Sequence, residues 1–223
     1  MAMILQPGEI ERKSFSIIDA ELRAQGIVLP EETAAITMRC IHASADFDYA
    51  ENLCFTPNAV QLAVAALRNG AEIVTDTNMA LSGVSRLSLR ELGSRAVCFM
   101  AEKHIAEQAE REGTTRAVAA MDYAAKNHPH AVFAVGNAPT ALLCLADKIE
   151  QGLRPTLVIG VPVGFVNVVE SKDRILAVCE QYRIPAIIAR GRKGGSSIAA
   201  AICNALLYTA TERLDPEERL KIK

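Results

Sequence analysis

Apolar residues in the second two-thirds of the chain fall in continuous runs rather than alternating with polar ones. Five runs carry the pattern: Glu72-Ile73-Val74-Thr75-Asp76, Ala96-Val97-Cys98-Phe99-Met100, Ala131-Val132-Phe133-Ala134-Val135, Leu157-Val158-Ile159-Gly160-Val161 and Ala186-Ile187-Ile188-Ala189. Short unbroken runs of this kind predict strands buried on both faces. Between them the spacing becomes helical, over residues 114–126, 140–151, 170–182 and 196–209. Strands alternating with helices predict an α/β protein. It is a single domain with a mostly parallel, doubly wound sheet of about five strands flanked by helices and joined by right-handed crossovers. Upstream, residues 9–25 predict a helix with Phe15, Ile18 and Leu22 on one face and Lys13 and Ser14 on another. A second helix opens at Pro30-Glu31-Glu32, where Pro suits the first turn and the acids suit the positive end of the dipole. Residues 52–56 form a candidate short strand, and a helix from Pro57-Asn58 stops at Asn69-Gly70. No linker or repeat interrupts residues 1–211, which read as one domain. Residues 212–223 read as a charged tail, peripheral or an arm between subunits.

Composition narrows the picture. A chain of 223 residues can bury a full core. It is 50% hydrophobic but only 4% aromatic, so Ala, Val, Ile and Leu must fill the interior. A formal charge of −2 supplies no overall basic field. This argues against nucleic acid and membrane as partners and leaves anion recognition to local clusters. The six cysteines contain no C-x-x-C pair and sit in apolar or helical settings. That speaks against a disulfide framework and for a reducing cytoplasm. Residues 1–15 lack the apolar run of a signal peptide. The uncharged stretch at 194–211 opens on Gly-Gly-Ser-Ser and carries Asn204, so it reads as a buried helix rather than a membrane span.

Candidate chemistry gathers in a few places. The second helix runs into Arg39-Cys40-Ile41-His42-Ala43-Ser44-Ala45-Asp46-Phe47-Asp48. Ala35, Met38, His42 and Ala45 recur at helical spacing, which would turn the imidazole toward an apolar interior. His42 is then either a satisfied core residue or an acid–base group, since imidazole as a residue type titrates near neutrality. The other histidines fit acid–base work less well. His128-Pro129-His130 is a stiffened surface turn without a third ligand for a metal, and His104 lies beside Lys103 and Glu102 on a solvated helix. In a doubly wound sheet, ligands bind beyond the carboxyl ends of the strands. There the chain places four polar loops, at 76–83, 136–140, 162–166 and 190–197. The last holds Arg190, Arg192 and Lys193 among glycines, just before a helix opening at Ser196. It is an anion site or a solvated basic turn capped by that serine. The elbow Gly136-Asn137-Ala138-Pro139-Thr140 either presents groups to a ligand, Asn137 among them, or makes a tight turn. Neither a Walker loop nor a dinucleotide fingerprint is present, and Pro162 removes an N–H that a pyrophosphate would need. Arg39, Asn137, Arg190, Arg192, Lys193 and Ser196 are the candidate contacts, with no metal site.

These motifs, in this order, resemble the precorrin-8X methylmutase family of cobalamin biosynthesis. The resemblance runs from Ile10-Glu11-Arg12-Lys13-Ser14-Phe15 to Leu206-Leu207-Tyr208. Its most specific parts are the stretch around His42, Thr75-Asp76-Thr77-Asn78-Met79-Ala80-Leu81-Ser82-Gly83, Gly136-Asn137-Ala138-Pro139-Thr140, Gly160-Val161-Pro162-Val163-Gly164-Phe165-Val166 and Gly191-Arg192-Lys193-Gly194-Gly195-Ser196. The resemblance implies an isomerase that moves a methyl group from carbon 11 to carbon 12 of a corrin precursor, giving hydrogenobyrinic or cobyrinic acid. It implies a homodimer with the tetrapyrrole near the interface. It places the family's catalytic histidine on His42, its substrate-contacting serine on Ser14, and a further contact on Arg116. The wording at 45–48 and 76–83 is closer to the cobalt branch of the family. Such a shift needs no cofactor, and any cobalt belongs to the substrate. Readings from other classes are a corrinoid carrier without catalysis and a nucleotide-binding transferase.

Overall fold

The computed structural model describes residues 6–220; residues 1–5 and 221–223, the outer ends of the expected amino-terminal stretch and of the tail, lie outside the described residues. The strands are β1 (Leu53–Phe55), β2 (Ile73–Thr75), β3 (Ala96–Val97), β4 (Val132–Val135), β5 (Leu157–Gly160) and β6 (Ala186–Ala189). They form one sheet in the order β1-β6-β5-β4-β2-β3. Every pairing is parallel except β1 with β6. All residues of β2, β4, β5 and β6 are buried, which explains why their sequences do not alternate.

Before β3 come α1 (Pro7–Ala24), α2 (Glu31–Ser44), α3 (Tyr49–Asn52), α4 (Ala59–Arg68), α5 (Asn78–Gly83) and α6 (Arg86–Glu91). After it come α7 (Lys103–Glu112), α8 (Arg116–Asn127), α9 (Pro139–Glu150), α10 (Val168–Tyr182), α11 (Ser196–Ala210) and α12 (Pro216–Leu220). The core has two layers because successive strand residues point to opposite faces. On one face Ile73, Val132, Ile159 and Ile187 pack with residues of α1, α2, α4 and α11, among them Leu22, Ile36, Ile41, Ala63 and Leu206. On the other, Val74, Phe133, Val158 and Ile188 pack with residues of α8, α9 and α10, among them Met121, Leu142, Leu145 and Ile175. The sheet is therefore doubly wound, and its strand order reverses between β2 and β4.

Two local expectations change. The strand expected through Met100 stops at Val97, because β3 is an edge strand with one neighbour. Phe99 and Met100 pack instead on Ile105, Ala109 and Ala120. The loop expected at 76–83 closes into the short helix α5, capped where the Thr77 hydroxyl accepts from the Ala80 N–H. The charged tail folds back as α12 onto α1, where Arg12 pairs with Asp215 and Glu217. Arg219 reaches Glu11 at 2.5 Å.

Candidate functional site

The reversal between β2 and β4 is where a doubly wound sheet offers a crevice. Here Asp76 fills it. Its side chain is fully buried and accepts from the N–H groups of Gly136 (2.9 Å), Asn137 (2.8 Å) and Ala138 (2.8 Å). Burial pushes this carboxyl up, while the three donors act to lower it. The two readings of the 136–140 elbow are thereby resolved: its N–H groups are spent on an internal carboxylate, and only the Asn137 side chain faces outward.

Around this anchor the carboxyl-end loops are tied to one another. Thr77, after β2, and Ser196, opening α11, bring their hydroxyls to 2.8 Å. Gly136 must be glycine, since a Cβ there would lie 2.8 Å from the Ser196 Cα. The Gly195 N–H donates to the Val161 carbonyl (2.8 Å), and the Gly164 N–H donates to the Arg192 carbonyl (3.2 Å). Gly194 lies so close to β5 that a Cβ would sit 2.1 Å from the Val161 oxygen.

The basic loop uses its cations unequally. The Lys193 Nζ pairs with Asp46 (2.8 Å) and Asp48 (2.5 Å), which raises the lysine pKa and lowers that of Asp46. This pairing joins the rim to the segment that follows His42. Arg190 and Arg192 are exposed and have no carboxylate partner among the described residues, and the Arg192 guanidinium lies 5.6 Å from the Phe165 ring centroid. Met79, Phe165 and Val166 are 74%, 83% and 77% exposed, so large apolar groups stand in solvent at the start of α5 and on the loop after β5.

His42 does not face the interior. Helix α2 buries Ile36, Thr37, Cys40 and Ile41, leaving His42 exposed on its last turn. The expected stripe was made of small or flexible groups, Ala35, Met38 and Ala45. Burying Ile36 and Ile41 removes more apolar area from water, and one residue's offset turns the helix by roughly 100°. The imidazole packs at 5.2 Å against Phe15 of α1 and hydrogen-bonds to no group among the described residues. Arg39 is not a free cation. It donates to Glu11 (2.7 Å) and lies over the rings of Phe15 (5.2 Å) and Tyr208 (4.9 Å). Burial acts to raise the Glu11 carboxyl, but Arg219 and Arg39 together hold it below its usual value. Ser14, beside Phe15, donates to the Ile10 carbonyl (2.8 Å). Arg39 and His42 of α2 thus share the Phe15 ring of α1, next to Ser14 in sequence, while Asn137, Arg192, Lys193 and Ser196 lie on the strand rim. Arg116 opens α8 next to Thr115, whose hydroxyl is 3.3 Å from that of Thr140 in α9. Arg190 follows β6, its N–H donating to the Asn52 carbonyl (2.8 Å).

The remaining titratable groups leave His42 as the acid–base candidate. His128 pairs with Glu72 (2.5 Å) before β2, at the opposite end of the sheet from the rim. Cys144, Cys179 and Cys203 are buried, and burial pushes their thiols up to about 11, 12 and 12. Such thiols are poor nucleophiles. No cluster of three His, Cys, Asp or Glu side chains able to hold a metal occurs among the described residues. No described helix is long and apolar enough to cross a membrane.

One residue escaped the sequence reading. Lys172 in α10 is fully buried, its ammonium donating to the carbonyls of Gly191 and Lys193, both at 2.8 Å. Burial lowers its pKa to about 8. The signal was there. Val168, Ser171, Lys172, Ile175, Leu176 and Cys179 share the buried stripe of α10, so a lysine occupies a core position.

The carboxyl-end rim of this α/β domain carries exposed apolar groups and guanidinium groups without carboxylate partners among the described residues, the two kinds of surface that suit an apolar, anionic ligand. Known proteins make the class specific. The profile of the precorrin-8X methylmutase family matches residues 9–209. Cobalt-precorrin-8 methylmutase of Leptospira interrogans is 41% identical over 92% of this chain and 94% of its own length. The cobalt-precorrin-8 methylmutase of Salmonella typhimurium is 41% identical over 95% of this chain and 100% of its own. The solved structure of precorrin-8x methyl mutase from Thermus thermophilus superposes with a TM-score of 0.81 at 37% identity, covering 91% of this chain and 98% of that one. The chain belongs to the precorrin-8X methylmutase family: it is an isomerase, a methylmutase of cobalamin biosynthesis.

Proposed function

We propose that this methylmutase moves a methyl group from carbon 11 to carbon 12 of precorrin-8 or its cobalt form, with His42 as the acid. The shift is an isomerisation: one carbon–carbon bond breaks as another forms, and no oxidant, cofactor or protein-bound metal is required. Cobalt, where present, travels with the substrate, and the naming of both 41%-identical relatives favours the cobalt form. His42 donates a strong hydrogen bond, or a proton that returns to it once the methyl has moved, to the macrocycle beside the pyrrole that carries the methyl. An acid so placed contributes about 10²–10⁴ in rate. Phe15 packs on the imidazole and limits its orientations. Ser14 is a substrate contact beside it.

The observation that carries this reading is the exposed Phe165 ring beneath the unpaired guanidinium of Arg192, with Met79 and Val166 also exposed on carboxyl-end segments after β2 and β5. A corrin precursor is a flat apolar ring fringed with carboxylates, and those two kinds of surface match it. Arg192, Arg190 and Arg116 take carboxylates, the first with fork geometry suited to bidentate bonds. Asn137 and Ser196 add polar contacts, Lys193 tethers the loop, and Arg39 acts through Phe15. A homodimer with the tetrapyrrole near the interface belongs to the same reading. The free thiols suit a reducing cytoplasm. Turnover tests the reading. Purified protein given cobalt-precorrin-8 or precorrin-8 should yield cobyrinic or hydrogenobyrinic acid, identified by its visible spectrum at unchanged mass. Tight binding without conversion would make the chain a corrinoid carrier and refute the assignment.

A further inference from the structure

Lys172 has no part in the chemistry described so far, and its setting is unusual. The side chain has no exposure, and its ammonium has no carboxylate partner among the described residues. A buried ammonium loses its hydration, and two carbonyls restore only part of it. A methionine of similar length would fill the same space without that cost. What only the ammonium supplies is a pair of charge-assisted bonds to main chain.

Those two bonds fall on either side of Arg192. The carbonyls of Gly191 and Lys193 accept from Lys172, and the Arg192 carbonyl between them accepts from the Gly164 N–H. Three successive carbonyls are therefore fixed in a loop whose glycines, Gly191 at φ +73° and Gly195 at φ +135°, would otherwise leave it free to move. The Lys193 side chain is held by Asp46 and Asp48. Arg192 is left exposed over Phe165.

We propose that Lys172 is a positioning residue for substrate recognition: by gripping the main chain at Gly191 and Lys193 it presents Arg192 to a carboxylate of the tetrapyrrole. This rests on the reading of Arg192 as a carboxylate contact. Lys172 touches no substrate. Its loss should therefore loosen binding and leave the chemical step at His42 alone.

The test is a double-mutant cycle with Lys172→Met and Arg192→Ala, read by visible titration with hydrogenobyrinic acid and by steady-state kinetics with precorrin-8. Lys172→Met should weaken product binding and raise KM by about ten-fold, as for one lost charge-assisted bond, with kcat within about two-fold of the parent. On the Arg192→Ala background it should add little, because both changes remove the same interaction. Full additivity, or a fall in kcat at unchanged KM, would overturn the proposal. If Arg192→Ala weakens binding and Lys172→Met does not, the proposal fails while the rim reading stands. If Arg192→Ala alone leaves affinity intact, the rim reading fails and this inference with it. Should the methionine variant not fold, Lys172→Gln carries the same test, since its amide nitrogen ends one bond short of the ammonium.

Discussion

Lys172 also makes a thermodynamic prediction with a definite sign. Burial lowers its pKa from 10.5 to about 8 in the folded protein. Below pH 8 both folded and unfolded chains carry the charge, and the folded one bears the cost of burying it. Between about pH 8 and 10.5 the folded protein has released this proton while the unfolded chain still holds it. The unfolded state then binds more protons, so stability rises with pH across that window. From pH 7 to pH 10 the gain from this group is about 2–3 kcal/mol. Tyr and Cys residues titrate in the same range, so the wild-type curve alone is uninformative. The comparison with Lys172→Met cancels them, because that variant keeps every other group. Urea unfolding of both proteins at pH 7 and pH 10 should show wild type gaining about 2–3 kcal/mol on the variant. Parallel behaviour at the two pH values would show that Lys172 is not buried as an ammonium, and the argument built on its burial would fall.

Other perturbations separate the parts of the site. Arg192→Ala should weaken product binding by about 1.5–3 kcal/mol, roughly ten- to hundred-fold, with a much smaller effect on kcat; unchanged affinity by titration would count against a carboxylate contact. Asp76→Asn turns an amide N–H₂ toward a backbone donor, which should cost about 3 kcal/mol and lower the melting temperature by roughly 6–12 °C. An unaltered melting curve would mean that the elbow does not depend on this carboxylate. Gly194→Ala drives a methyl into the Val161 carbonyl, so the loop must shift and product affinity should fall, while affinity equal to wild type would show that the loop's close seat on β5 is dispensable.

Much of this molecule is legible in its sequence because its strongest signals are local. The runs at 131–135, 157–161 and 186–189 became central strands, since a segment apolar on both faces has nowhere to go but between two helix layers. Pro139 marked the start of α9, and Asn69-Gly70 the end of α4. Periodicity failed where the competing stripes were of unequal strength. Ala35, Met38 and His42 keep helical spacing, but Ile36, Cys40 and Ile41 keep it too and bury more surface. Lys172 keeps the spacing of the buried stripe of α10, but a lysine there is read as reaching solvent until the fold shows two carbonyls accepting from it. The pairing of Lys193 with Asp46 and Asp48 joins residues 147 and 145 positions apart and has no local signature. The same holds for Asp76, whose partners lie sixty residues further on. Motif order indicated the family, but only the fold shows which cations are spent on internal partners and which remain for a ligand.

The central claim is that an exposed histidine at the end of α2 performs the acid chemistry of the methyl shift. His42→Ala measures it most directly. The side chain is exposed and hydrogen-bonds to nothing among the described residues, so the variant should fold, melt with the parent and bind hydrogenobyrinic acid with little change. Its turnover of precorrin-8 should fall by about 10²–10⁴. A folded His42→Ala protein that binds product and converts precorrin-8 at the parent rate would contradict the account.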